Sequence, residues 1–72
     1  MNKLRLESVM KLHGDTGGSL AEFLGITRGT FSQKLNEKGT SFTQREITLI
    51  KQRYNLGAED VDGIFFDLVV SK

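Results

Sequence analysis

Cysteine and proline are both absent, and no apolar run approaches the ~20 residues that span a bilayer. Without cysteine, no disulfide can staple this 72-residue chain, and a modest core must hold it alone. That absence fits a reducing cytoplasm. Without proline, no prolyl isomerisation slows folding. The opening MNKLRLESVM is interrupted by charge and does not read as a signal peptide. His13 is alone, with no cysteine, second histidine or acid at ligand spacing, so no metal is expected. No nucleophile–base pair is legible, so the chain is not expected to be an enzyme or to carry a cofactor. GDTGG, residues 14–18, lacks the Lys-Ser/Thr pair and preceding strand of a phosphate loop and reads as a connector.

What is present is an uneven distribution of charge. The net charge is +1. Residues 1–26 balance Lys3, Arg5 and Lys11 against Glu7, Asp15 and Glu22. Residues 27–53 set Arg28, Lys34, Lys38, Arg45, Lys51 and Arg53 against Glu37 and Glu46, for +4. Residues 54–72 set Lys72 against Glu59, Asp60, Asp62 and Asp67, for −3. A basic middle adjoins an acidic end.

The periodicity predicts an all-α chain, a compact bundle of four to five short helices in one domain spanning residues 1–72. The first covers residues 2–13, with Asn2 as cap and Gly14 as stop. Leu6, Val9 and Met10 face inward, with Leu4 and His13 as further inward candidates. The stretch SLAEFLGITRGTFSQKLN, residues 19–36, reads as two short helices around a glycine turn, a helix-turn-helix. Ser19 and Glu22 make its first capping box. Leu20, Ala21 and Leu24 form the inward stripe, and Gly25 supplies the turn, with Ile26 at the corner. Thr27 caps the second helix, whose Phe31 and Leu35 are buried. Arg28, Gly29, Thr30, Ser32, Gln33, Lys34 and Asn36 are placed outside. Thr43 and Glu46 box the next helix, stapled by Phe42 and Ile47 and running to about Arg53, with Ile47, Ile50 and Tyr54 inward. A short helix at 58–63 follows. IFFDLVV, residues 64–70, is β-branched and aromatic, a strand or an extended C-terminal tail.

Two motifs carry a resemblance. Ala21 stands four residues before Gly25, and the run KLNEKGTSFTQREITLIKQRYNLGAEDVDGIFF follows. The chain resembles the helix-turn-helix domain of the lambda-repressor and Cro family of small phage and bacterial regulators. The later run is similar to a subgroup of short phage-encoded proteins patterned KLN-x-K, FT-x-x-EI and IFF. The likeness spans about residues 4–66. One departure is Lys34, which stands where the motif often has a buried aliphatic; Leu35 takes over that packing. The resemblance implies a protein of a phage lysis–lysogeny switch in a bacterial cytoplasm. It extends both to Cro-like repressors and to modulators that bind the phage repressor protein.

In a helix-turn-helix the second helix lies in the major groove, N-terminal end toward the bases. The expected contacts with double-stranded DNA are Thr27, Arg28, Gly29, Thr30, Ser32, Gln33, Lys34, Asn36 and Lys38. Arg28 suits guanine and Gln33 suits adenine. Amides near Gly17, Gly18 and Ser19 suit a phosphate. A homodimer on two half-sites is the expected binding form. The competing reading of Arg28 and Gln33 is ordinary exposed surface, and of Lys3, Arg5, Arg45, Lys51 and Arg53 a solvated face. Phe65, Phe66, Leu68 and Val69 are too many apolar groups to leave in water. They either fold back over the first and fourth helices or form a protein interface. Three functions therefore stay open: a regulator that binds operator DNA, an antirepressor that grips the phage repressor, and, ranked last, a structural or toxin–antitoxin partner with no DNA role.

Overall fold

Four of the helices begin on a side-chain cap and end on the same kind of turn, and those signals set the architecture. In the computed structural model, which describes residues 1–66, the helices are α1 (Lys3–Leu12), α2 (Gly17–Leu24), α3 (Arg28–Leu35), α4 (Gln44–Tyr54) and α5 (Ala58–Val61). Alpha-helix α5 runs directly into one π-helical turn, Asp62–Phe66. There is no strand among the described residues, so the fold is all-α. No described helix is long and apolar enough to cross a membrane.

Asn2 caps α1, its side chain accepting from the Arg5 amide. Thr27 caps α3 and Thr43 caps α4, the latter boxed by Glu46. At the other ends, Gly14, Gly25, Glu37 and Asn55 take positive φ values of 74°, 77°, 53° and 53°. Each lets the next residue's amide bond back five positions, from Asp15 to Met10, Ile26 to Ala21, Lys38 to Gln33 and Leu56 to Lys51. That bond satisfies carbonyls the helix end would otherwise leave bare.

The start of α2 differs from the expectation. Thr16 is the cap, and the box is Thr16 with Ser19, not Ser19 with Glu22. Gly17 and Gly18 therefore form the first helical turn, and Glu22 is exposed. The long-range contacts of Asp15, described below, hold the loop where Thr16 can begin the helix.

The core gathers Leu6, Met10, Leu20, Ala21, Leu24, Phe31, Leu35, Phe42, Ile47, Ile50, Tyr54 and Ile64. Burying so many apolar groups, at about 25 cal/mol per Å², is the main attraction holding these short helices together. Leu4 and His13 are exposed, contrary to their inward assignment. Leu4 sits off the stripe that Leu6 and Met10 set.

The C-terminal stretch is also different from its reading. Residues 64–66 are helical rather than extended. Ile64 is fully buried, and its carbonyl accepts from the Asn2 amide at 2.6 Å, joining this turn to the start of α1. Phe65 is half-buried, its ring edge-on to Phe42 at 5.9 Å. Phe66 remains 45% exposed. The expectations for Leu68 and Val69, and for Val70, lie outside the described residues.

Candidate nucleic-acid interface

Alpha-helix α3 is short, and its rotation decides what it offers to a partner. Phe31 and Leu35, one turn apart, go into the core. Phe31 meets Phe42 edge-on at 5.7 Å. A third residue, Lys34, also turns inward, which corrects its assignment to the outward face. It is 9% exposed, and its Nζ donates to Glu46 Oε1 at 2.7 Å. The same oxygen accepts the Thr43 amide at 2.9 Å, so one carboxylate closes the α4 cap and anchors α3. Burial pushes the Glu46 carboxyl up, but Lys34 and the Thr43 amide outweigh it and hold it below its ordinary value. Lys34 thus holds an inward position, and the ion pair makes its charge tolerable there.

Arg28, Gly29, Ser32, Gln33, Asn36 and Lys38 are exposed. Thr27 and Thr30 also have a local task. The Thr27 hydroxyl accepts the Thr30 amide at 3.1 Å and donates to the Thr30 hydroxyl at 2.9 Å. Asn36 is engaged as well: its Nδ2 donates to the Ser32 carbonyl at 2.9 Å, and its Oδ1 accepts from Lys3 Nζ at 2.7 Å. Arg28, Gln33 and Lys38 make no side-chain hydrogen bond to another described residue. The stem of Arg28 lies beside the first turn of α2, where a Cβ on Gly18 would be 3.9 Å from its Cδ. The amides of Gly17 and Gly18, in that first turn, point out of the helix start with no intrahelical partner. One edge of the surface therefore combines a free guanidinium with backbone donors.

A side-chain cluster absent from the sequence reading orients α2. Asp15 accepts four hydrogen bonds. Its Oδ1 takes Ser19 Oγ at 2.9 Å and Arg53 Nη2 at 2.8 Å. Its Oδ2 takes Arg53 Nε at 2.8 Å and the Tyr54 hydroxyl at 2.6 Å. Arg53 also lies over the Phe23 ring, 4.5 Å from its centroid, so it holds both the loop before α2 and α2 itself. The Arg53 and Tyr54 donors keep the Asp15 carboxyl well below the usual carboxylate range. Burial, then the bond to Asp15, pushes the Tyr54 phenol above its ordinary value. The His13 ring lies tilted at 45° to that of Tyr54, their centroids 4.8 Å apart. Arg53 is thus exposed but engaged in the structure, and Arg5 is an exposed residue that pairs with Asp60 at 3.1 Å. The sequence signal was limited to an acid in a loop and an arginine at a helix end, 38 residues apart.

A second surface lies at the C-terminal turn. Met1, Glu37, Ser41, Phe42, Ile47, Phe65 and Phe66 line a groove of about 280 Å³. Comparison of the chain with protein-family models, curated proteins and solved structures returns no match.

Proposed function

We propose that this chain binds duplex DNA through α3 and serves as a small phage-type transcriptional regulator. The observation that carries the reading is the outward strip of α3. Arg28, Ser32 and Gln33 are exposed together, with no acid among them, beside the bare amides of Gly17 and Gly18. In such a geometry the N-terminal end of α3 enters the major groove. Arg28 then reads guanine O6 and N7, Gln33 reads adenine, and Gly29 keeps the helix start slim enough to approach the bases. The α2 amides hold a backbone phosphate. Lys38, past the helix, adds a phosphate contact, while Thr27 and Thr30 keep α3 in shape.

The resemblance to Cro-like phage regulators gives this reading its biological setting, a lysis–lysogeny switch. A direct test is fluorescence anisotropy with duplexes from the region flanking the gene, over a salt series. The reading expects binding that weakens steeply with salt. Arg28→Ala should cost about 1–3 kcal/mol on the preferred site and relax one base position. Equal binding by wild type and Arg28→Ala on every duplex would count against it.

One observation favours a second reading. With Lys34 paired to Glu46, Arg28 is the one cation on the outward strip of α3. Affinity for DNA grows with the number of phosphates neutralised, so this strip alone is a modest electrostatic anchor. In the second reading the chain grips a phage repressor protein and alters its DNA binding. DNA binding seen only in the repressor's company, and lost in Phe66→Ala rather than Arg28→Ala, would select it.

A further inference from the structure

Lys3 opens α1, 33 positions before Asn36, yet the fold sets its ammonium against the C-terminal end of α3. Asn36 forms a bracket there. Its Nδ2 donates to the Ser32 carbonyl of α3 at 2.9 Å, and its Oδ1 accepts from Lys3 Nζ at 2.7 Å. An ammonium carries three donors, so this bond leaves two for another acceptor. Lys3 is exposed. The neighbouring acid, Glu37, is met by the Met1 ammonium at 3.3 Å, and Lys38 is exposed one residue further on. The C-terminal end of α3 is therefore a positive corner built from two parts of the chain. Arg28 marks the opposite end, and the strip between them is the neutral Ser32 and Gln33.

That charge pattern suits a helix whose N-terminal end sits in the major groove with Arg28 at the bases. Eight residues of α3 rise about 12 Å, so its C-terminal corner then lies at the groove's edge, near a phosphate rail. We propose that Lys3 contacts a backbone phosphate of duplex DNA and that Asn36 is the positioning residue that holds it at the end of α3. This rests on the duplex-binding reading and supplies the second electrostatic anchor that α3 itself lacks.

The test measures binding of the full chain to a duplex of arbitrary sequence, about 20 base pairs long, over a salt series. Wild type is compared with Lys3→Ala, Lys3→Arg, Asn36→Ala, the Lys3→Ala/Asn36→Ala pair and Lys11→Ala. Lys11 is an exposed cation in the last turn of the same helix, about 12 Å along its axis. Lys3→Ala should lower affinity about tenfold near 50 mM salt and make the slope of log K against log salt shallower by about 0.9. Lys3→Arg and Lys11→Ala should keep the wild-type slope. Asn36→Ala should lose part of the affinity, and the pair should be no weaker than Lys3→Ala alone. If wild type binds and Lys3→Ala keeps its slope, the phosphate contact is overturned while the DNA reading stands. If Asn36→Ala adds its full loss on top of Lys3→Ala, the positioning role is overturned. If wild type does not bind at low salt, the DNA reading fails and this contact with it.

Discussion

Lys34 shows how one residue decides what a helix presents. A lysine on a short polar helix belongs in water on composition alone. Here its neighbours at one and three positions' distance, Leu35 and Phe31, set the rotation of α3, and Lys34 is carried inward with them. Glu46 waits there, already fixed by the α4 cap. Removing one partner would strand the other charge away from water. Glu46→Ala should therefore cost about 3–5 kcal/mol in denaturant unfolding, far more than an exposed ion pair could. Lys34→Met combined with Glu46→Gln leaves no buried charge and keeps an oxygen for the Thr43 amide. The double variant should recover most of that loss. A Glu46→Ala variant as stable as wild type would show that the pair contributes nothing.

At the scale of elements, the legible features were the local ones. Thr27, Phe31 and Leu35 fixed α3, and Phe42, Thr43, Glu46 and Ile47 fixed the start of α4, because caps and staples join residues a turn apart. Asp15 and Lys34 were not legible because their partners lie 38 and 12 positions away, and Thr16 was missed although its partner is local. Ser19 with Glu22 fits the usual Ser/Thr-x-x-Glu/Gln capping box, whereas Thr16 with Ser19 has a hydroxyl where that pattern has a Glu or Gln. The choice between them is made by Asp15, which Arg53 and Tyr54 hold from α4. The π-helical turn at Asp62–Phe66 was hidden for the same reason: β-branched and aromatic residues favour strands, but α5 leads straight into them and Ile64 is buried against α1. The turn between α2 and α3 gives a clean element-scale prediction. Gly25 has φ 77° and nothing near its missing Cβ, so Gly25→Ala meets a backbone cost alone, about 1–2 kcal/mol. Gly18, inside α2 with no positive φ and ordinary contacts, should instead gain about 0.4–1 kcal/mol as alanine. Thermal unfolding of the two variants should move in opposite directions.

At the scale of the whole molecule, two carboxylates tie distant segments together, and both are held below their ordinary pKa values. In the unfolded chain each returns to about 4. The unfolded state thus binds protons more readily, and stability falls as pH drops below that value toward the lower folded pKa values. The stabilisation from both is complete above the unfolded pKa and does not change with pH near neutrality. Urea midpoints measured from pH 7 to pH 2 should drop mainly below about pH 4. Asp15→Asn should lower the neutral midpoint and flatten the acid limb, since Asn presents one oxygen where the carboxylate offers two. An unchanged acid limb in that variant would mean the Asp15 cluster does not couple folding to protons. The same cluster bears on the proposed DNA-binding strip, because it fixes the start of α2, and α2 carries the turn from which α3 projects. The strip proposed to meet DNA therefore depends on the whole chain: α4 holds the start of α2 through Asp15 and ties down α3 through the Lys34–Glu46 pair.

The most direct measurement is a titration of the isotope-labelled chain with duplex DNA, following backbone amide resonances one by one. If α3 enters the groove, the largest shifts fall on Arg28, Gly29, Ser32 and Gln33, accompanied by Gly17 and Gly18, and they fade as salt is raised. Amides from 17 to 33 that stay still in saturating duplex, or shifts confined to residues 58–66, would contradict it.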